Sequence, residues 1–257
     1  MEITIVYVTY ANDLPWLAYS LRSVQKFVTG FNKIVLYCHD VCCGDLYAIV
    51  RNLDLPCRII PVSYDYHGYL KQMVVKAECY NDISSEYIAI IDSDNIFNCH
   101  LNMRNLLLPD GKIQWFYHTS PIPSEVTVWK NSYESMTKTI QDKYYMSNGF
   151  PFIFTNTSMR MASEHFKHLH GVDYSTFCKK GCRKFNIRVE EGIRSRFLDM
   201  AQIFEEFEWL GFYCHAHSSD YVFTPHTERK APSPLIQYWS HGGITPEIKT
   251  IIEDILQ

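Results

Sequence analysis

The chain lacks the features that mark several classes of protein. It has no basic tract and no stripe of alternating basic and aromatic residues, and its formal net charge is -4. We therefore expect no nucleic-acid partner. No apolar run approaches the length of a membrane span, so we expect no transmembrane segment. The first residues pass directly into a strand pattern without a signal peptide, which favours a soluble, cytoplasmic protein.

A regular cysteine framework is also missing. The nine cysteines are odd in number and unevenly spaced, which suits a reducing compartment better than a set of disulfides. A structural zinc site is one alternative use of the stretch that contains His165, His168, His170, Cys178 and Cys182. The spacing of these residues matches no standard zinc finger.

Strands and helices alternate through the first part of the chain. We predict strands over residues 3–10, 33–38, 58–62 and 86–91, and helices over 16–28, 45–53 and 68–80. This alternation predicts an α/β fold with a mainly parallel central sheet flanked by helices.

The second part of the chain is less regular. We predict strands over 113–119, 150–156, 211–214 and 221–224, helices over 158–170, 192–207 and 246–256, and a loop over 174–186. No repeat or linker interrupts the chain, so we predict a single domain over residues 1–257.

The most informative motif follows a strand that is apolar without alternation. Ile88 to Ile91 carry no polar residue, which is typical of a parallel strand buried on both faces. Asp92-Ser93-Asp94 comes directly after it, at the sheet edge where open α/β folds bind ligands. Two carboxylates in these positions can hold one hard cation, and that cation can bind a nucleotide diphosphate. The alternative is a solvated acidic turn, because Asp and Asn favour turns.

Four features of the chain are similar to those of a known family: the opening strand Ile3–Tyr10, Asp92-Ser93-Asp94, the acidic Phe204–Gly211 segment and His241-Gly242-Gly243. In these features the chain resembles GT-A type glycosyltransferases, which carry a DXD motif, and in particular their poorly characterised bacterial and viral members. Two further segments are similar, namely Gly68–Gln72 with Lys76, and Asn148–Phe152. Glu205-Glu206 departs from the Glu-Asp pair usual in the acidic motif.

The resemblance implies a nucleotide-binding half over residues 1–98 and an acceptor-binding half over residues 99–257. It also implies a Mn²⁺ or Mg²⁺ site formed by Asp92, Asp94 and His241. His241 is equally well interpreted as a turn residue, and three other histidines compete for its role: His215, His217 and His226.

A UDP- or GDP-linked donor would lie beside the metal. The residues expected to bind it are Thr9, Tyr10, Asp13, Lys76, Asp92 and Ser93. Asp13 is alternatively a helix N-terminal residue. Lys76, which shares a helix face with Gln72, is alternatively a solvated surface charge.

An inverting transfer needs a carboxylate that takes the proton of the acceptor hydroxyl. We predict Glu206 as this base, with Glu205 beside it, and Trp209, Asn148 and Gly149 as acceptor-binding residues. The alternative interpretation of the glutamates is an acidic helix face, and a retaining mechanism stays open.

These residues predict a metal-dependent glycosyltransferase that moves a sugar to a glycan or other hydroxyl acceptor. One alternative is a sugar-phosphate nucleotidyltransferase, although residues 9–13 lack the Gly-rich, basic loop that such enzymes usually carry. The other alternative is a non-catalytic glycan- or nucleotide-binding protein.

Overall fold

The structure is a computed structural model. It describes residues 1–63, 65–119, 130–140, 142–146, 149–188, 199, 203–229 and 233–257, except for the side chains of residues 130, 131 and 241.

Twelve strands lie in this described part of the chain. In chain order they are β1 (Ile3–Thr9), β2 (Val28–Thr29), β3 (Lys33–His39), β4 (Cys57–Val62), β5 (Tyr87–Ile90), β6 (Asn95–Phe97), β7 (Leu101–Asn102), β8 (Ile113–Thr119), β9 (Lys143–Tyr144), β10 (Phe152–Thr155), β11 (Tyr221–Pro225) and β12 (Leu235–Gln237).

The α-helices of the same described ranges number eight. They are α1 (Leu14–Phe27), α2 (Cys43–Val50), α3 (Gly68–Glu78), α4 (Lys130–Thr137), α5 (Asn156–His170), α6 (Tyr174–Lys184), α7 (Glu206–His217) and α8 (Pro246–Leu256). None of these helices combines the length and the apolar character that a bilayer crossing requires.

A five-stranded sheet with the order β10-β5-β1-β3-β4 forms the centre of the fold. β1, β3, β4 and β5 are parallel, and β10 pairs antiparallel with β5. Every residue of β1 and β5 is buried, because helices such as α3 cover the sheet. The predicted α/β fold with a mainly parallel central sheet is confirmed.

A second sheet, β11-β8-β9, packs against the β10 side of the first. Trp115 of β8 is fully buried, and its ring lies 5.6 Å from Phe152 and 5.3 Å from Phe154, both of β10. Aromatic side chains therefore join the two sheets into one core.

A small ribbon brings the end of the chain to the acidic motif. β12 pairs antiparallel with β6, with Leu235 opposite Phe97 and Gln237 opposite Asn95. Because β6 begins directly after Asp94 and β12 ends at Gln237, residues 238–243 lie beside Asp94.

The prediction of a loop over 174–186 is wrong, since most of this segment forms helix α6. Asp173 caps the helix by accepting a 2.7 Å hydrogen bond from Thr176 N. The buried residues Tyr174, Cys178 and Cys182 recur every fourth position, which places them on one face of the helix.

Two of the predicted elements fall on the segment around α7. The strand predicted over 211–214 belongs to helix α7, most of whose residues are buried, so its sequence shows no polar helix face. Most of the helix predicted over 192–207 lies outside the described residues, and α7 begins only at Glu206.

Candidate active site

The acidic motif and the end of the first strand meet at one edge of the central sheet. Asp92, Ser93 and Asp94 come directly after β5, and Tyr10 and Asp13 follow β1. Because β1 and β5 are parallel neighbours, their carboxyl ends lie together. The three carboxylates lie close together, since after burial both Asp94 and Asp92 raise the pKa of Asp13, and Asp92 raises the pKa of Asp94.

Asp94 is buried and held in place by the chain's last loop. Its exposed fraction is 7%, and its Oδ2 accepts a 2.8 Å hydrogen bond from Ser240 N. Burial, followed by repulsion from Asp92, raises the pKa of Asp94 to about 6, although the Ser240 bond opposes the rise. Ser240 is not among the predicted site residues, since no local pattern links it to a residue 146 positions away.

Asp13 belongs to the same acidic pocket. Burial and the nearby Asp94 raise the pKa of Asp13 to about 7, and a hydrogen bond with the Ser240 side chain opposes the rise. Asp13 makes no side-chain bond as the N-cap of α1, so its side chain faces the site's charges rather than capping the helix. Burial, Asp13 and Asp94 together raise the pKa of Tyr10 to about 12.

Lys76 is the cation of this pocket. Its Nζ lies 2.7 Å from Asp92 Oδ1 and 3.1 Å from Glu206 Oε1, and only 6% of its side chain is exposed. Burial opposes the positive charge, but Asp92 and Glu206 outweigh burial and raise the pKa of Lys76 above its ordinary value. The structure thus excludes the alternative of a solvated Lys76. Gln72, one turn earlier on α3, donates a 2.9 Å hydrogen bond to Val8 O.

Glu205 supports the start of α7 rather than opening into a pocket. It is fully buried, and its side chain accepts a hydrogen bond from Glu208 N. Glu208 in turn accepts bonds of 3.0 Å from Tyr145 N and Met146 N. Burial, with Glu206 and Glu208 nearby, raises the pKa of Glu205 well above its ordinary range. Glu205 therefore caps α7 through Oε2, and its role as a catalytic residue stays a prediction.

Glu206 adjoins the acidic motif through Lys76. It is 2% exposed, and burial raises the pKa of Glu206 while Lys76 opposes the rise. Its Oε1 faces Lys76, and its Oε2 has no hydrogen-bond partner within the described residues. The base role of Glu206 stays a prediction.

The predicted acceptor residues fall in three different situations. Trp209 is fully buried and donates a 2.8 Å hydrogen bond from Nε1 to Tyr174 OH, so the prediction that it carries an acceptor sugar is wrong. Gly149 is half-buried with φ 71°, and its acceptor role stays a prediction. Asn148 and the side chain of His241 lie outside the described residues.

Two hydroxyl groups at the site are buried without a partner. Thr9 Oγ1 and Ser93 Oγ make no hydrogen bond within the described residues, and both residues are at most 4% exposed. A buried polar group without a partner is unfavourable, so both hydroxyls are suited to a ligand that brings hydrogen-bonding groups.

The negative charge of the pocket favours a divalent cation, but the described side chains provide few ligands for one. Four carboxyl groups lie near the ammonium group of Lys76, namely those of Asp13, Asp92, Asp94 and Glu206. Oxygen ligands of this kind suit Mg²⁺ or Mn²⁺. Within the described residues, however, no three His, Cys, Asp or Glu side chains are grouped as a metal site. A cation would therefore need further ligands from a bound molecule, from water or from His241.

The chain belongs to the Family of unknown function (DUF6492), whose profile matches residues 10–223. None of the curated proteins matches it significantly. Among solved structures, an active-site mutant of LgtC is similar over 98% of this chain and 94% of its own, with a TM-score of 0.57 and 10% identity. Mouse xyloside xylosyltransferase 1 in its apo form is similar over 87% of this chain and 85% of its own, with a TM-score of 0.48 and 13% identity. At such identities the likeness to LgtC shows the fold, which is that of a GT-A-like glycosyltransferase.

Proposed function

We propose that this protein is a metal-dependent glycosyltransferase that uses a UDP- or GDP-linked donor and a hydroxyl acceptor such as a glycan. The observation that carries the proposal is the acidic pocket at the carboxyl ends of β1 and β5. Asp13 and Asp94 sit there with pKa values raised to about 7 and 6. Open α/β folds bind nucleotides at this edge.

Asp92 and Asp94 would hold Mn²⁺ or Mg²⁺. When bound, the cation neutralises the charge that develops on the departing nucleoside diphosphate. The negative carboxylates repel one another, and a bound cation would offset this repulsion. The diphosphate would supply further ligands, since the described residues group no three His, Cys, Asp or Glu side chains as a metal site.

Lys76 acts as a positioning residue. Its ion pair with Asp92 Oδ1 fixes one carboxylate of the motif, and its second pair ties Asp92 to Glu206 at the start of α7. Tyr10 and Asp13, beside Thr9, would contact the base and ribose of the donor. The unpartnered hydroxyls of Thr9 and Ser93 would bond to the same ligand.

Glu206 is the proposed base of an inverting transfer. Since Oε1 is occupied by Lys76, Oε2 would accept the proton of the acceptor hydroxyl. Because Glu206 is only 2% exposed, the residues that cover Oε2 would have to move aside before an acceptor could reach it. Catalytic hydrogen bonds often form only in the complex with substrate.

Calorimetric titration with UDP and with GDP, each with Mn²⁺ and with EDTA, tests the proposal. We expect one nucleotide to bind with Mn²⁺ and not with EDTA, and Asp94→Asn to lose this binding while staying folded. Asp110→Asn is the matched control, because Asp110 is exposed and lies by Gly111 at the amino end of β5. Failure of both nucleotides to bind the folded wild type would overturn the proposal.

A further inference from the structure

The loop after β12, residues 238–244, is hydrogen-bonded to Asp94 of the acidic pocket. Tyr238 N donates a 3.1 Å hydrogen bond to Asp94 O, and Ser240 N donates a 2.8 Å bond to Asp94 Oδ2. Trp239 lies between these two bonds. The chain is therefore held beside Asp94 on both sides of Trp239.

Packing also anchors the two ends of this loop. The Tyr238 ring stacks on Trp16 of α1, with 5.7 Å between ring centres. Ile244 packs against the same small apolar cluster, which contains Trp16, Ile96 and Ile252. Apolar side chains on both sides of Trp239 thus point into the protein, while Trp239 does not.

Trp239 is exposed, unlike the other described tryptophans. Its exposed fraction is 64%, whereas Trp16, Trp115 and Trp209 are at most 2% exposed. Its indole ring has no ring contact or hydrogen bond within the described residues. Its backbone is left-handed, with φ 52° and ψ 87°, a conformation that bulky residues rarely adopt. The fold thus holds a large aromatic surface in water beside a charged site.

We propose that Trp239 is an aromatic wall against which the nucleobase of the donor stacks, an inference that rests on the proposed function. The loop contacts the nucleotide side of the pocket, because Ser240 bonds to Asp94 and its side chain also bonds to Asp13. Glu206, the proposed acceptor-side group, is tied to Lys76 instead. Bases stack well on indole rings, since both present flat π-faces.

Tryptophan fluorescence, measured alongside calorimetric titration, tests whether the base stacks on Trp239. Wild type and Trp239→Phe are titrated with the preferred nucleotide plus Mn²⁺, with pyrophosphate plus Mn²⁺, and with free monosaccharides. The difference between the two proteins isolates the Trp239 signal, because they differ at that residue alone. We expect only the nucleotide to quench the Trp239 signal.

The affinity of a truncated variant gives a second readout. Trp239→Ala should bind the nucleotide about five- to tenfold more weakly, as expected for loss of one base stack, and its affinity for pyrophosphate should not change. Tyr47→Ala, which truncates an exposed aromatic of α2, is the control and should bind like wild type.

The outcomes separate this wall from the proposed function. If the nucleotide binds by calorimetry without quenching Trp239, and Trp239→Ala binds it within twofold of wild type, the wall is wrong and the transferase proposal stands. Quenching by a monosaccharide alone would also overturn the assignment to the base. If no nucleotide releases heat on mixing with the wild type, both proposals fail.

Discussion

Lys76 and Asp92 form an ion pair, with 2.7 Å between Nζ and Oδ1, in which Lys76 is buried and the Asp92 side chain is 24% exposed. The same ammonium group lies 3.1 Å from Glu206 Oε1. One lysine of α3 therefore connects the acidic motif after β5 to the first residue of α7. This connection makes the stability of the core and the geometry of the site depend on each other.

Lys76→Met should destabilise the protein by about 3–5 kcal/mol, because removal of one partner leaves buried charges uncompensated. The free energy of unfolding in urea measures this loss. Adding Glu206→Gln should restore part of the stability, since one uncompensated charge disappears. Lys112→Met, at an exposed ion pair with Asp110, should change stability by less than about 0.5 kcal/mol. Equal effects at Lys76 and Lys112 would contradict this expectation.

The metal-free protein should become less stable as the pH rises from about 4 to 7. The pKa values of Asp13 and Asp94 are raised to about 7 and 6, whereas an unfolded Asp titrates near a pH of about 3.9. In this window the folded state binds more protons than the unfolded state, so the free energy of unfolding falls with pH. Urea unfolding at several pH values in EDTA measures the slope.

Asp13→Asn should flatten this pH dependence, because it removes the group with the higher pKa. Mn²⁺ should stabilise the protein more at a pH of about 7.5 than at about 5, since protons compete with the cation for the carboxylates. Asp110→Asn is the control for the slope. A slope of the opposite sign in the wild type would contradict the raised pKa values.

Glu205→Ala should lower the free energy of unfolding by about 1–2 kcal/mol, because α7 loses the side chain that caps its first turn. Glu205→Gln keeps an oxygen acceptor at the same place and should retain most of this stability. Both variants should bind the nucleotide like wild type. If Glu205→Gln instead abolished transfer while staying folded and stable, Glu205 would be a catalytic residue after all.

Trp209→Phe should destabilise the protein by about 1–3 kcal/mol. The change removes the indole N–H that bonds to Tyr174 OH and takes one of two hydrogen-bond partners from a buried hydroxyl, which keeps its bond with Ser163. Thermal or urea unfolding measures the loss, and Trp239→Phe is the matched exposed control. A change in acceptor KM without a loss of stability would show that Trp209 contacts the acceptor.

Glu206→Gln should slow sugar transfer by about 10²–10⁴-fold, the range expected for loss of a general base. Nucleotide affinity should change far less, because the amide of this variant would still lie beside Lys76. Release of UDP or GDP from the donor, measured in the presence of acceptor, reports the rate. Glu164→Gln, in an exposed pair with Arg160, is the control. An unchanged rate would exclude Glu206 as the base and leave a retaining mechanism.

Much of the structure of residues 1–98 could be predicted from local pattern. Strands β1, β3 and β5 are apolar runs because parallel strands inside a sheet are buried on both faces. The acids Asp92 and Asp94 are conspicuous because they end such a run. In the second half, α7 is apolar on nearly every side, so its sequence carries no helical period and part of it resembles a strand.

The sequence alone determined the class of fold and the position of the acidic motif, since both follow from residues that are neighbours along the chain. Tertiary structure decided which distant residues complete the site. Lys76 between Asp92 and Glu206, and Ser240 on Asp94, arise from packing between elements far apart in the chain. Tertiary structure also decided the exposure of the tryptophans, since Trp209 is buried in the core and Trp239 is exposed to water near the carboxylates. Exposure depends on the whole fold, so two tryptophans that look alike in sequence take opposite places.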